Sequence, residues 1–407
     1  MRVLLLAVVA LCACGPLMPL RMDGGSAGGS GGGTAGGLVV GGGFTTGGGN
    51  VGGGSVGGGS SAGGTASAGG AAGGAVTAGG SAGGSVDAGL GNFIWANLAV
   101  LPTPTSSFTN GMAVSSRAGE AWVALDNGRL YRSTGGVFNE VVGFMLAGVN
   151  DLYVSPSGKV FAVTQGRQAA HCLAADCSVA ANFTTVSISP TGTDSLKSLC
   201  GRGEQVMALG VRDTASVGTL YEFDAMQGQW TKVSNNLGIS TPRGCVIGPA
   251  GEVYVVGELG VIRYENGATT PEPLDLMGQP NAAWTGIALW PSGSTIVEAQ
   301  LIGSGSGYRF ARRNNANQTW TSLTPNPGAG SAMYTVIALG PAEFLAAGSG
   351  TGANKFMMWN GTVWAPAMPA PPNTVTFVRD SCVTDAREVF LIGNDGSSAY
   401  SIIRGRR

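Results

Sequence analysis

Residues 249–267 read PAGEVYVVGELGVIRYENG and contain the unit on which the fold depends. A Pro-Ala-Gly turn precedes the apolar stretch Val253–Val256, the alternating stretch Val261–Tyr264 follows, and Asn266-Gly267 comes next. Short runs of β-branched and aromatic residues between turn residues are typical of strands, and Asn-Gly favours a tight hairpin. This segment therefore predicts consecutive antiparallel strands.

The same unit recurs along the chain from residue 110 onward. Its second strand has an apolar residue that returns every 39 to 48 residues, at Trp122, Phe161, Met207, Tyr254, Ile296, Phe344 and Phe390. Its fourth strand has an aromatic residue followed three residues later by an apolar one, starting at Phe138, Phe183, Trp230, Trp320 and Trp364. A period of this length is that of a propeller blade. The sequence predicts an all-β fold, a seven-bladed β-propeller, with a six- or eight-bladed ring as the alternative.

The last repeat has no fourth strand of its own. The missing pattern occurs before the first repeat, where Trp95-Ala96-Asn97-Leu98 has the aromatic residue and the apolar residue at the same spacing. Closing a ring in this way removes an exposed sheet edge. We expect Phe93–Leu98 to pair with the third strand of the last blade, around Ala399–Ile403, and Trp95 to be largely buried.

The segment that precedes this ring differs from it in amino-acid composition. Of the 72 glycines, 33 lie between residues 23 and 91, a segment with only two charged residues, Asp23 and Asp87. Such a segment buries too little apolar surface to offset the entropy of ordering it. We expect residues 14–91 to form a disordered tether and residues 92–407 to form the propeller. The net charge of −1 and the four lysines exclude a basic nucleic-acid interface and charge-driven membrane binding.

The first residues have the organisation of an export signal. Arg2 is followed by the short apolar stretch Val3–Leu11 and then by Cys12-Ala13-Cys14-Gly15. This ending resembles the bacterial lipoprotein signal, in which the cysteine becomes the lipidated first residue. The resemblance implies a signal peptide over residues 1–13, a lipid anchor on Cys14, and sorting to the outer membrane or cell surface. The alternative is an ordinary secretory signal.

The repeats resemble the degenerate kelch-like and sialidase-like propellers of bacterial surface lipoproteins. The resemblance covers about 300 residues and is one of strand order and spacing. The Asp-box of sialidases and the paired glycines of kelch repeats are absent. It therefore implies a fold and a surface location, but no roles for individual residues.

Catalytic and metal chemistry have few candidates. His171 is the only histidine, and it stands beside Cys172 in an irregular stretch. In an exported protein, Cys172 and Cys177 are expected to form a disulfide, whereas zinc binding by these three residues would need a fourth ligand. Cys200, Cys245 and Cys382 are interpreted as free buried thiols; because three is an odd number, at least one of them is unpaired, and a disulfide between the other two stays open. We expect no metal, no cofactor and no catalytic residue.

One constellation favours binding. Six repeats have a polar residue ten positions before the start of the second strand, or within about one position of that point. These residues are Asn150, Lys197, Arg243, Thr285, Tyr334 and Arg379. The first strand of each blade lines the central channel, so equivalent positions converge on one mouth, and the cations there would suit an anion or a glycan. We call these six residues the channel-mouth set. Alternatively, they are strand-entry residues that face water and pair with Asp151, Asp194 and Asp380.

The sequence predicts a non-enzymatic binding or interaction module on the cell surface. Its partner would be a protein or a glycan, its only contact with the membrane would be the lipid anchor, and we expect a monomer. The alternative is a divergent glycan-active propeller hydrolase. That function requires a pair of carboxylates about 5–10 Å apart in a pocket, and the sequence identifies only basic residues at the mouth.

Overall fold

The computed structural model of the chain describes the residues of the ring with several gaps. The described residues are 92–101, 112–117, 119–189, 192, 194–258, 260–275, 283–304, 308–314, 318–323, 332–349, 355–372, 375–385, 388–394 and 399–407. The expected signal peptide (residues 1–13), the expected lipidation site Cys14 and the expected tether (residues 14–91) lie outside these residues.

The described strands form four four-stranded antiparallel sheets and one thirteen-stranded sheet, which contains three further four-stranded antiparallel groups and one additional strand. We call these seven groups blades 1 to 7, in chain order of their innermost strands. The outermost strand of blade 7 comes first in the chain, as β1 (Ile94–Leu101). Blade 1 comprises β2 (Met112–Arg117), β3 (Glu120–Leu125), β4 (Leu130–Thr134) and β5 (Val137–Glu140). Blade 2 comprises β6 (Val149–Val154), β7 (Val160–Thr164), β8 (Gln168–Cys172) and β9 (Phe183–Ser187). Blade 3 comprises β10 (Asp194–Arg202), β11 (Gln205–Arg212), β12 (Val217–Asp224) and β13 (Gln229–Ser234).

Blades 4 to 7 follow the same order, with one additional short strand. Blade 4 comprises β14 (Ser240–Ile247), β15 (Val253–Glu258), β16 (Gly260–Glu265) and β17 (Ala268–Pro271), and the additional strand β18 (Leu274–Asp275) follows it. Blade 5 comprises β19 (Ala283–Ser292), β20 (Thr295–Ser304), β21 (Tyr308–Asn314) and β22 (Trp320–Leu323), and blade 6 comprises β23 (Met333–Gly340), β24 (Glu343–Gly348), β25 (Phe356–Trp359) and β26 (Trp364–Pro366). Blade 7 comprises β27 (Phe377–Asp385), β28 (Glu388–Asn394), β29 (Tyr400–Arg406) and β1. Strand β18 pairs in parallel with β22 and so covers the outer edge of blade 5.

The blades are arranged as a closed ring. Each innermost strand contacts the innermost strands of both neighbours, and the innermost strand of blade 7 (β27) contacts that of blade 1 (β2). The apolar clusters lie between successive blades; one of them joins Cys200, Met207 and Leu209 of blade 3 to Ile247 and Val253 of blade 4. The fold is therefore an all-β propeller whose core is divided into layers between the blades.

Blade 7 is completed by a strand from the other end of the ring. Strand β1 pairs antiparallel with β29, with Ile94 opposite Arg406 and Leu101 opposite Tyr400. The side chain inserted into the core is Phe93, which is 4% exposed. Trp95, expected to be largely buried, is half-buried. It lies over Gly405, where a Cβ would be 2.5 Å from the Trp95 ring, and its indole N–H donates to the carbonyl of Pro369 at 2.9 Å.

Helix is almost absent from the described part of the chain, which contains a single 3-10 turn, Ala180–Asn182. No helix among the described residues has the length and apolar character needed to cross a membrane.

Candidate functional site

The channel-mouth set occupies one structural position in six blades. Each of the six residues lies at or next to a register shift near the start of an innermost strand, as at Asn150 between Val149 and Asp151. The other shifts fall at Lys197, in the stretch before Gly244 that contains Arg243, at Thr285, at Tyr334 and at Arg379. All innermost strands enter from the outer strand of the preceding blade, so these bulges lie at one end of the ring.

Two members of the set hold neighbouring blades together. The Asn150 amide donates to the carbonyl of Leu196 in blade 3 at 2.7 Å. The Thr285 hydroxyl donates to the carbonyl of Met333 in blade 6 at 2.6 Å. Because these polar groups are engaged by the backbone of the next blade, they contribute less to a ligand site than the sequence predicts.

The basic members of the set remain accessible. The guanidinium of Arg379 lies over the Tyr334 ring at 5.1 Å and the Phe377 ring at 5.7 Å, which restricts its orientation. Lys197 is exposed, and within the described residues neither Lys197 nor Arg379 forms an ion pair. Arg243 lies 3.4 Å from Glu258, and both side chains are more than 40% exposed, so solvent screens this pair strongly.

Two aspartates, Asp151 and Asp380, directly follow members of the set, and the sequence predicts them only as possible partners of its cations. Asp380 accepts the backbone N–H groups of Val114 in blade 1 and of Ser381, each at 2.8 Å. Asp151 accepts the Leu199 N–H and the Ser198 hydroxyl of blade 3, both at 2.7 Å. Both carboxyls therefore stabilise contacts between blades. The third aspartate considered, Asp194, binds Lys232 at 2.6 Å instead of a member of the set.

The electrostatic environment of these two carboxyls favours their neutral forms. Burial raises the pKa of Asp151 to about 6. Burial, and secondly the charge of Asp151, raise the pKa of Asp380 to about 8. A carboxyl is harder to ionise where water is excluded and where a second carboxylate is near. At neutral pH, Asp380 therefore adds little negative charge beside Arg379.

Among the described residues, four of the five cysteines form two disulfides. Cys172 and Cys177 are joined, with their Cα atoms 5.8 Å apart. Cys200 and Cys245, interpreted from sequence as free thiols, are joined as well and link the innermost strands of blades 3 and 4. Their separation of 45 residues is about one blade period, which places them side by side in adjacent blades. Cys382 is free, and burial raises the pKa of its thiol.

His171 belongs to the core. Its side chain is buried, its ring lies 4.9 Å from that of Phe223, and its Nδ1 atom has no hydrogen-bond partner among the described residues. Burial lowers the pKa of the imidazole. Because Cys172 and Cys177 are oxidised, they offer no thiolates to a metal ion. Within the described residues, no group of three or more metal-ligating side chains occurs.

Comparisons with known proteins identify the fold. No protein-family profile and no curated protein matches the chain. Among solved structures, it is similar to YCF48 bound to D1 peptide, with 16% identity and a TM-score of 0.55 over 77% of this chain and 97% of that one. It is also similar to YCF48 from Cyanidioschyzon merolae, with 12% identity and a TM-score of 0.56 over 77% and 98% of the two chains. At these identities the similarity establishes the architecture alone: the chain folds as a β-propeller.

Proposed function

We propose that this chain is a non-enzymatic binding module that is exported and lipid-anchored at the outer membrane or cell surface. Its ligand at the channel mouth would be an acidic segment of a partner protein. The observation that carries this proposal is the convergence of Lys197, Arg243 and Arg379 on one end of the ring, at bulges of three innermost strands. A similar propeller has been solved with a bound peptide, which supports a protein ligand over a glycan.

The charge balance at the mouth supports an anionic ligand. Arg379 is oriented by two aromatic rings, and its guanidinium can bind a carboxylate through two parallel hydrogen bonds. The carboxyl that follows it, Asp380, has a pKa raised to about 8 and is mainly neutral at pH 7. The cations therefore keep most of their attraction for an anion from solution.

Hydrolysis of glycans is less well supported. A catalytic carboxylate must be free to reach the substrate. Both oxygens of Asp380 and both oxygens of Asp151 already accept hydrogen bonds from the innermost strands. These two carboxyls therefore serve the contacts between blades, and a binding function fits the channel mouth better.

Single substitutions of basic residues test the proposed site at the channel mouth. Titration calorimetry of the full chain at low salt would compare an acidic peptide with a neutral peptide of the same length. We expect the acidic peptide to bind and Arg379→Gln to weaken it about tenfold or more, because a charge-assisted hydrogen bond is worth about 1.5–3 kcal/mol. Arg309→Gln, outside the set, is the matched control. Equal binding of both peptides, or an unchanged affinity in Arg379→Gln, would refute this site.

The lipid anchor is tested separately. In cells given labelled fatty acid, the full chain should take up label and fractionate with the outer membrane. Cys14→Ala should lose the label and leave unprocessed or soluble protein, because the thiol of Cys14 is the expected site of lipidation. Absence of label from the unaltered chain would show that the signal is an ordinary secretory one.

A further inference from the structure

The connection between the third and fourth strands of blade 2 differs from its counterparts. It has ten residues (173–182), whereas the equivalent connections have two in blade 1 (135–136) and four in blade 3 (225–228). Long connections on a rigid scaffold are where propellers and other folds place binding groups. The length of this loop, which exceeds what is needed to reverse the chain, favours a role in binding.

The blade 2 loop is held rigidly against blade 1. The Cys172–Cys177 disulfide closes its first half. Asp176 accepts the Ser178 N–H at 2.9 Å and the Ser178 hydroxyl at 2.6 Å, and the Asn182 amide donates to the Asp176 carbonyl at 2.7 Å. Arg132 of blade 1 reaches the Asp176 carboxylate at 3.4 Å. A wall fixed in this way loses little conformational entropy when a ligand binds.

Between this loop and the outer strands of blade 1 lies a cavity of about 370 Å³, which we call the blade 1–2 pocket. Its lining residues are Arg132, Thr134, Asn139, Glu140, Val141 and Ser178. Arg132 and Asn139 are direct cross-strand partners, so their side chains, and that of Thr134 two residues further along, project from one face of the sheet. The volume lies in the range of small-molecule sites.

The pocket offers hydrogen bonds without a net charge. Arg132 is paired with Glu120 and Asp176, and Glu140 with Arg129. Within the described residues, the Thr134 hydroxyl and the Asn139 amide have no hydrogen-bond partner, so both remain available. Val141 and Ser178 complete the lining. Donors and acceptors without a net charge suit a neutral polyhydroxylated ring.

We propose that the blade 1–2 pocket binds a neutral sugar residue. Thr134 and Asn139 would hydrogen-bond its hydroxyls, between the walls formed by the blade 2 loop and the outer strands of blade 1. This site lies at the outer strands of the ring, whereas the channel-mouth set lies on the innermost strands, so the two proposals stand independently.

The test uses the full chain and three probes: methyl α-mannopyranoside, methyl β-galactopyranoside and N-acetylglucosamine. In saturation-transfer NMR, we expect signal transfer to at least one probe. Asn139→Ala should weaken binding of that probe about fivefold, since one well-formed hydrogen bond to a ligand is worth about 1 kcal/mol. Both side chains are exposed, so Thr134→Ala and Asn139→Ala should fold normally.

Two controls make the result decisive. Thr185→Ala removes an equally exposed threonine from the outer strand of blade 2 and should leave binding unchanged. Arg379→Gln, which alters the channel mouth, should leave it unchanged too. The proposal fails if no probe receives saturation, or if transfer is undiminished in Asn139→Ala.

Discussion

Deleting residues 92–101 should abolish most of the stability of the ring. The deletion removes β1 and Phe93, whose ring is 4% exposed and lies beneath the guanidinium of Arg407 at 4.0 Å. It leaves β29 as an unpaired edge and uncovers the apolar layer between blades 6 and 7. Total stabilities are about 5–15 kcal/mol, and Phe93→Ala alone should cost about 3–5 kcal/mol. Thermal and urea unfolding of the full chain and the variants measure this loss.

Ile94→Ala provides the matched control for closure. Ile94 is in the same strand as the deleted contacts but is 78% exposed, so its truncation should change the free energy of unfolding by less than about 0.5 kcal/mol. Hydrogen exchange should show that Phe93→Ala exposes the amides of β27, β28 and β29 before those of blades 3 and 4, which a disulfide links. An unchanged melting temperature after the deletion would disprove the closure of the ring through β1.

Stability should fall as pH rises from about 6.5 to 9. Burial raises the pKa of Asp380 to about 8 and that of Asp151 to about 6, well above the value of about 4 for an unfolded aspartate. The folded ring therefore binds more protons than the unfolded chain. The stability that these carboxyls contribute is complete below pH 4 and is lost as pH rises through their folded-state pKa values. Measuring the melting temperature across this window gives the slope.

The Asp380→Asn variant isolates this effect. Its side chain is neutral at every pH and retains an oxygen that can accept the Val114 N–H, so the melting temperature should depend much less on pH. Asp275→Asn removes an exposed carboxyl and should keep the slope of the unaltered chain. The window begins at pH 6.5 because burial lowers the pKa of His171, and this histidine destabilises the fold at lower pH. Equal slopes for Asp380→Asn and Asp275→Asn would refute the assignment.

The repeat pattern contains most of the information about the architecture. Turn residues and strand periodicity are local properties, so a propeller and the completion of blade 7 by the segment before blade 1 follow from spacing alone. The same spacing placed the channel-mouth set at one structural height, because every blade enters its innermost strand in the same way. What spacing could not give was the depth of burial of the two aromatic residues, which share one face of the segment: Phe93 lies beneath Arg407, whereas the indole of Trp95 lies nearer the surface beside Pro369.

Contacts between blades cannot be predicted from the spacing of residues along the sequence. Asp151 and Asp380 look like solvated neighbours of Asn150 and Arg379, and only the packing of innermost strands shows that they accept backbone N–H groups from other blades. The Cys200–Cys245 disulfide does have an indication in the sequence, because both residues occur in first strands of consecutive repeats. Asn150 and Thr285 show a further limit of the repeat pattern: the bulges direct their side chains to backbone carbonyls of the next blade, which residue spacing does not indicate.

The direction of β1 also determines how the ring responds to mechanical load. Force applied at Asn92 along the strand axis pulls β1 lengthwise past β29. The seven register pairs between these strands are then loaded together in shear, instead of opening one after another as in a peeled hairpin. The side chain of Phe93 must also be withdrawn from beneath Arg407 in the same movement. A ring pulled from this end therefore resists extension at the strand that closes it.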